Sequence, residues 1–150
     1  MPTSTRKSSR ADATSPEAGG EIRVPVRSDN DLVNARHEGR RLAESLGFSS
    51  SETTLVATAI SELARNIVNY AVRGEIVLRR VNDQARRGIT VIARDEGPGI
   101  ANVKLAMQDG YSTSGGLGLG LPGVRRIMDE FQIETEPSCG TTVTVSKWRQ

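Results

Sequence analysis

The sequence predicts an α/β protein built as a two-layer sandwich, with helices covering one face of a mixed β-sheet. Apolar residues recur at helical spacing in two successive segments, near residues 32–46 and 55–70. β-branched residues gather instead in short runs around residues 22–26, 76–81, 89–93, 133–135 and 141–145. This order of elements is typical of a sheet whose helices lie together on one face. The length of 150 residues suits one such domain.

The first predicted strand contains Ile22, Val24 and Val26, which alternate with Arg23 and Pro25. Proline has no N–H to donate to a neighbouring strand, so it is tolerated mainly at the edge of a sheet. We therefore expect this strand to be short and to lie at an edge.

Two amphipathic helices are predicted next. The first begins at the Ser28–Asp29 cap and ends at Gly47, and the second begins in the Ser49–Ser51 cluster, with Glu52 close behind it as in a capping box. Their apolar stripes consist of Leu32, Ala35, Gly39, Leu42, Ala43 and Leu46 in the first helix, and Leu55, Val56, Ala59, Ile60, Leu63, Ile67 and Tyr70 in the second.

The second half of the chain predicts two hairpins separated by helices. Residues 76–81 and 89–93 read as paired strands around the polar stretch 82–88. A short helix is predicted over 100–107, and another runs from Pro122 to about Glu130, because proline suits the first turn of a helix. Strands at 133–135 and 141–145 then meet at the turn 137–140.

Composition excludes several classes of function. Twenty basic and eighteen acidic residues give a net charge of +2, which is too balanced for an electrostatic nucleic-acid site, and five aromatic residues are too few for base stacking. The sequence contains no run of 18 apolar residues, which a membrane-spanning helix would need. The single cysteine, Cys139, permits neither an intramolecular disulfide nor a cysteine cluster for zinc.

Residues 1–20 differ in composition from the rest of the chain. They contain seven Ser or Thr residues, but no Leu, Ile, Val or aromatic residue. Such a segment cannot bury enough apolar surface to fold, and it lacks the apolar core of a secretory signal. We expect a disordered tail over 1–20, a folded domain over 21–150 and a cytoplasmic location.

A carboxylate and an amide are predicted to share one face of the second helix. Glu62 and Asn66 are four residues apart, and the same side of the helix carries the apolar residues Leu55, Ala59 and Leu63. Glutamate can accept a proton and an asparagine oxygen suits Mg²⁺. Taken alone, the pair is more typical of an ordinary helix surface than of a functional site.

An acidic turn follows the strand at 89–93. Asp95 is the first residue of the segment Asp-Glu-Gly-Pro-Gly, in which Gly97 and Gly99 leave the backbone open to a flat ring. A carboxylate at this position can accept hydrogen bonds from an adenine amino group. Taken alone, the segment would also suit a solvent-exposed turn.

Glycine is concentrated in one region: eight of the fifteen glycines lie between Gly97 and Gly123. Free backbone N–H groups, hydroxyl groups such as that of Ser114 and the positive end of the following helix together suit phosphate groups. The G-x-G-x-x-G pattern at 118–123 is not a dinucleotide fingerprint, because the residues before it do not form a β-branched strand. Nor does the chain contain a P-loop motif.

In chain order, these three segments and Gly140–Thr141 resemble the N, G1, G2 and G3 boxes of the GHKL ATPase and kinase superfamily. Within it, residues 61–66 and 110–131 are most similar to the small bacterial serine kinases of the anti-sigma-factor type, in particular the stressosome switch kinases. The resemblance covers roughly residues 21–149. It implies the Bergerat α/β sandwich with a glycine-rich ATP lid.

The resemblance also implies roles for individual residues. Glu62 would be the base that activates the acceptor serine, and Asn66 would hold Mg²⁺. Asp95 would bind the adenine amino group, with Gly97 and Gly99 beside the base. The remaining cofactor-binding positions are Ser114, Gly116, Gly118 and Gly120 along the phosphates, and Thr141 at the adenine end.

The function implied by the resemblance is that of an ATP- and Mg²⁺-dependent protein serine/threonine kinase. Its substrate would be an antagonist with a STAS domain, in a partner-switching stress response, and the kinase could then activate a PP2C-type phosphatase. The alternative is an anti-sigma factor that sequesters a sigma subunit and phosphorylates its anti-anti-sigma factor. An ATP sensor without transferase activity is a third hypothesis, which the presence of Glu62 disfavours.

Overall fold

A computed structural model describes residues 20–71, 73–97, 120–136 and 139–150. The predicted helix over 100–107 lies outside these residues. The described elements are the strand β1 (Glu21–Val26), the helices α1 (Asp29–Ser45) and α2 (Ser50–Tyr70), the strands β2 (Gly74–Asp83) and β3 (Arg86–Asp95), the helix α3 (Gly120–Ile127), and the strands β4 (Glu130–Glu136) and β5 (Gly140–Trp148).

The five strands form one sheet in the order β1-β2-β3-β5-β4. Every neighbouring pair is antiparallel, so the predicted α/β sandwich is confirmed while the described sheet is antiparallel rather than mixed. The helices α1 and α2 connect β1 to β2, and β2 runs in the direction opposite to β1. The strands β3 and β4 do run the same way, but β5 lies between them.

The two long helices begin as their sequence patterns predict. The Ser28 hydroxyl accepts the N–H of Asp31 at the start of α1, and Ser49 and Glu52 form a complete capping box at the start of α2. Gly47 follows α1 with a φ of 85°, a left-handed conformation that glycine adopts without steric cost. The loop between the helices is therefore short and fixed at both ends.

The core lies between the helices and one face of the sheet. All six residues of the predicted α1 stripe are buried, and most of the α2 stripe is buried as well, but Leu55 is half-buried and Tyr70 is exposed. Fully buried sheet residues from β2, β3 and β5 complete the core; among them are Ile76, Leu78, Ile89, Val91 and Val145. This packing fixes α2 against the sheet, with α1 on one flank and α3 on the other.

The opposite face of the sheet carries charged residues beside the buried pair Val77 and Ile92. The Glu75 carboxylate lies 3.0 Å from Arg23 and 3.2 Å from Arg94, so one acidic side chain bridges three adjacent strands. Among the described helices, none is long and apolar enough to cross a membrane.

The helix α3 is shorter than predicted and the strands are longer. The sequence predicts a helix from Pro122 to about Glu130, whereas α3 spans Gly120–Ile127 and Glu130 already pairs with Ser146. The Lys147 ammonium, 8% exposed, donates to the Ile127 carbonyl at 3.0 Å. A cation at this point satisfies the carbonyl end of α3, and the chain passes directly into β4.

Candidate active site along helix α2

The Glu62 side chain is held at two points. The residue as a whole is 9% exposed, and its Oε2 atom accepts a 2.6 Å hydrogen bond from Arg65 Nη1 one turn further along α2. Its Oε1 atom accepts the backbone N–H of Gly120, the first residue of α3, at 3.2 Å. A buried carboxylate needs such partners because burial removes its hydration. The two contacts fix the carboxylate where α2 meets α3.

Asn66 lies one turn beyond Glu62 on α2 and is half-buried. Of the predicted pair, Glu62 is buried, and Asn66 lies at the border between the buried and the exposed sides of the helix. The amide oxygen of Asn66 is a neutral hard ligand of the kind that Mg²⁺ accepts. Among the described residues, no three His, Cys, Asp or Glu side chains are close enough to hold a metal ion.

Asp95 ends β3 and is half-buried. Its Oδ1 atom accepts the N–H of Gly97 at 2.9 Å and the N–H of Thr141 at 3.2 Å. The side chain thus connects its own turn to the start of β5. Oδ1 accepts both backbone N–H groups, and no partner of Oδ2 lies among the described residues.

Two glycines near Asp95 lie very close to neighbouring backbone. A Cβ atom at Gly140, where φ is 118°, would lie 2.1 Å from the Asp95 carbonyl oxygen. At Gly97 a Cβ atom would lie 2.9 Å from the carbonyl oxygen of Tyr70, the last residue of α2. Glycine at both positions lets the end of β3 lie directly against β5 and α2.

Thr141, 8% exposed, lies beside Asp95. Its N–H binds the carboxylate, and its hydroxyl lies 3.0 Å from the hydroxyl of Thr135 on the neighbouring strand β4. The structure therefore brings Asp95, Gly97 and Thr141 together, as the motif order predicts.

Two groups of predicted residues thus lie along the same helix. Glu62 and Gly120 meet in its middle, and the Asp95 turn meets its C-terminal end at Tyr70. Eight residues separate Glu62 from Tyr70, which corresponds to about 12 Å along the axis at 1.5 Å per residue. An elongated ligand such as a nucleoside triphosphate could reach both groups. Gly99, Ser114, Gly116 and Gly118 lie outside the described residues.

Sequence reasoning missed Arg65. Its contact with Glu62 is the shortest of the side-chain pairs around the site, yet arginine is frequent in this chain and attracts no attention by itself. The signal was the three-residue spacing from Glu62, which places the two side chains as neighbours on a helix.

Comparison with known proteins identifies relatives across most of the chain. The profile of the histidine kinase-like ATPase domain matches residues 25–147. The serine/threonine-protein kinase RsbT of Bacillus subtilis is 47% identical over 125 residues, which cover 83% of this chain and 94% of RsbT. The anti-sigma F factor of Halalkalibacterium halodurans is 33% identical over 103 residues, covering 64% of this chain and 69% of that protein.

Solved structures share the same fold at low sequence identity. The RsbU and RsbW domains of a Mycobacterium tuberculosis protein superpose with a TM-score of 0.58 at 20% identity, over 87% of this chain and one third (33%) of that one. The SiaB–SiaC complex of Pseudomonas aeruginosa gives 0.55 at 16% identity, over 85% of this chain and 88% of that one. These likenesses confirm the two-layer sandwich that the motifs imply.

Proposed function

Because the chain belongs to the histidine kinase-like ATPase family and is a homologue of a serine/threonine-protein kinase, we propose that it phosphorylates a serine of a STAS-domain antagonist. It is an ATP-using protein kinase, and the proposal concerns its substrate and the roles of its residues. The observation that carries these roles is the Glu62 carboxylate, buried and fixed between Arg65 and the Gly120 N–H.

Glu62 is proposed as the general base. It would accept the proton of the acceptor serine while the serine oxygen forms a bond to the γ-phosphorus of ATP. The bond between the γ-phosphorus and the β–γ bridging oxygen breaks, and ADP leaves with that oxygen. Phosphoryl transfer relies mainly on positioning and on stabilisation of charge, so a rigid carboxylate suits the reaction.

Asn66 is proposed to hold Mg²⁺ through its amide oxygen. A bound Mg²⁺ neutralises charge on the phosphate oxygens. The fit rests on the position of Asn66, half-buried on the same helical face as Glu62 and one turn away from it. The N–H of Gly120 is proposed to lie near the phosphates, together with Ser114, Gly116 and Gly118.

Asp95 is proposed to select adenine. Its Oδ2 atom would accept the adenine amino group, with Gly97 and Gly99 beside the ring and Thr141 next to the carboxylate. The support is the pair of backbone N–H groups that hold Oδ1 and thereby orient the other oxygen.

Partner switching is the proposed setting. RsbT is named a kinase, and other relatives of this chain are named anti-sigma factors, so an antagonist that opposes such a factor is the natural acceptor class. Release from the phosphorylated antagonist would free the kinase to activate a PP2C-type phosphatase. We place this reaction in the cytoplasm, where ATP is available, and assign it to residues 21–150, with residues 1–20 as a tail.

The substitution Glu62→Gln tests the assignment of the base. It should leave ATP affinity within about twofold and reduce phosphate transfer roughly 10²- to 10⁴-fold, because the amide cannot accept the proton. Transfer from labelled ATP to a purified STAS-domain protein measures the rate, and calorimetry measures ATP binding.

Glu38→Gln is the matched control for this experiment. Glu38 also pairs with an arginine three residues later, on α1, where both side chains are more exposed than in the Glu62–Arg65 pair. Glu38→Gln should leave both the rate of phosphate transfer and the affinity for ATP unchanged. Undiminished transfer by Glu62→Gln would exclude Glu62 as the base.

The second candidate function is an anti-sigma factor that sequesters a sigma subunit. The 33% identity to an anti-sigma F factor supports it. A pull-down with the full chain, followed by mass spectrometry, separates the two proposals. Recovery of a STAS-domain protein and a phosphatase supports the switch kinase, whereas recovery of a sigma subunit supports the alternative.

A further inference from the structure

Arg65 contacts the proposed base directly. Its Nη1 atom donates to Glu62 Oε2 at 2.6 Å, while the Gly120 N–H occupies Oε1 at 3.2 Å. An ionised carboxylate can accept about four hydrogen bonds. Two sites are therefore filled, one on each oxygen, and the directions of the remaining lone pairs are set by the two donors.

The burial of the pair is asymmetric. The Glu62 side chain is 11% exposed, whereas the Arg65 side chain is 38% exposed. Arg65 thus reaches in from the surface and places its charge on a carboxylate that has little water around it. Such charge-assisted bonds are stronger and shorter than neutral ones, and they restrict the orientation of both groups.

A second pair in the molecule has the same spacing without this environment. Arg41 lies three residues after Glu38 on α1, at 3.6 Å, with 65% and 28% of the side chains exposed. Exposed pairs of this kind contribute little to stability or to orientation, because water competes for both partners. The spacing alone therefore does not account for the short contact at Glu62.

We propose that Arg65 is a positioning residue, which holds the Glu62 carboxylate in the orientation needed to receive the proton of the acceptor hydroxyl. This inference rests on the proposed role of Glu62. Among the described residues, Arg65 and the Gly120 N–H are the two groups that bind this carboxylate, so without Arg65 the Gly120 contact alone opposes rotation about its side-chain bonds. A misplacement of about 1 Å at a reacting group can cost roughly a hundredfold in rate.

The substitution Arg65→Met removes the donor and retains an unbranched apolar stem. We expect kcat to fall about 10- to 100-fold, with the KM for ATP within about twofold of the original value. Single-turnover phosphate release from ATP with Mg²⁺ supplies a readout that needs no protein acceptor, and transfer to a STAS-domain protein supplies a second. Arg41→Met is the matched control and should change neither constant.

Two further variants separate positioning from general damage to the fold. Arg65→Lys restores a positive donor and should give a kcat at least about threefold above that of Arg65→Met, since an ammonium binds a carboxylate as a point charge. In a Glu62→Gln background, Arg65→Met should cause no further loss, because residues that act as a unit are not additive. Circular dichroism should show the same helix content in all variants.

The outcomes distinguish the two proposals. If Glu62→Gln abolishes transfer while Arg65→Met leaves kcat unchanged or raises it, Glu62 remains the base and the role of Arg65 is refuted. The role of Arg65 is also overturned if Arg65→Met lowers kcat by the same factor in both backgrounds, or if it changes only the KM for ATP. If Glu62→Gln retains full activity, the proposed function of Glu62 fails first.

Discussion

Asp95 combines a structural contact with a proposed contact to ATP in one side chain. Its Oδ1 atom binds the N–H groups of Gly97 and Thr141. In Asp95→Asn the amide oxygen must take the Oδ1 position to keep both bonds. The NH₂ group then occupies the position of Oδ2, where it would face the adenine amino group, donor against donor.

We therefore expect Asp95→Asn to weaken ATP binding at least about tenfold, since hydrogen bonds to charged groups contribute about 1.5–3 kcal/mol. The midpoint of thermal unfolding should remain nearly unchanged. The preference for ATP over GTP should decrease, because the asparagine NH₂ group can donate a hydrogen bond to the carbonyl oxygen of guanine. Calorimetry with both nucleotides measures this. Unchanged ATP affinity would remove Asp95 from the adenine site.

Two glycines with positive φ provide a matched pair of substitutions. Gly47 and Gly140 both have left-handed backbones, but a Cβ atom at Gly47 would meet only the Arg149 side chain, at 3.2 Å, whereas one at Gly140 would meet the Asp95 carbonyl at 2.1 Å. Gly47→Ala should cost about 1–2 kcal/mol of unfolding free energy. Gly140→Ala should cost more than about 4 kcal/mol, because backbone must move.

Urea unfolding of both variants measures the difference. Nucleotide affinity provides a second comparison, since only Gly140 touches Asp95. Equal costs for the two substitutions would mean that the approach of β5 to β3 is not as close as described.

At the scale of residues, the sequence predicted which side chains are candidates for the site, but it did not predict which groups they contact. Asp95 and Thr141 were predicted by motif order, and the structure connects them with a hydrogen bond across 46 residues. The Glu62–Gly120 contact spans 58 residues and could not be predicted, because it depends on how α3 packs against α2.

At the scale of elements, the capping box of α2 makes the stability of the start of this helix depend on pH. The pKa of Glu52 lies below the ordinary value of 4.5 because the Ser49 N–H donates to its carboxylate, an effect that outweighs the smaller, opposing influence of burial. A lowered folded-state pKa means that this stabilisation is complete above pH 4.5 and is lost as pH falls through the lowered value.

Glu52→Gln should reduce the acid sensitivity of folding. The amide oxygen can still accept the Ser49 N–H, since glutamine also forms capping boxes, but the group no longer titrates. The free energy of unfolding in urea, measured from pH 7 down to pH 3, should fall less steeply than for the original chain. An identical pH dependence would contradict the role assigned to this carboxylate.

Element boundaries show what the sequence could and could not determine. Helix starts were predicted well because Ser28 and Ser49 act locally. Strand ends were predicted short, since pairing in β2 and β3 continues through polar residues to Asp83 and Arg86, beyond the apolar runs. The end of α3 depends on Lys147, which lies twenty residues away from Ile127 in sequence.

At the scale of the whole molecule, the sheet order predicts where the fold is most protected. The strand β3 pairs on both sides, with β2 and β5, while β1 and β4 are the outer strands of the described sheet. Leu78 and Val91 on the central strands are completely buried. Native-state hydrogen exchange should be slowest for the amides of β2 and β3 and faster in β1 and β4. Exchange in β4 as slow as in β3 would contradict this strand order.

The mixed sheet was a reasonable expectation that failed for a global reason. The pattern of residues specifies which segments are strands, but not which strands become neighbours. Here β5 inserts between β3 and β4, so these two strands, which follow each other among the described strands and run in the same direction, do not pair. Such an insertion depends on contacts between distant segments, which local patterns do not encode.

The position of Asp95 also limits how this protein can evolve. Because one oxygen of the side chain holds the turn to β5, a substitution that removes this oxygen also removes two backbone hydrogen bonds. Among the possible replacements, asparagine offers an equivalent acceptor while altering the proposed contact to the nucleotide. A lineage that changed its nucleotide preference through this position would therefore pass through asparagine, or would first need stabilising mutations elsewhere.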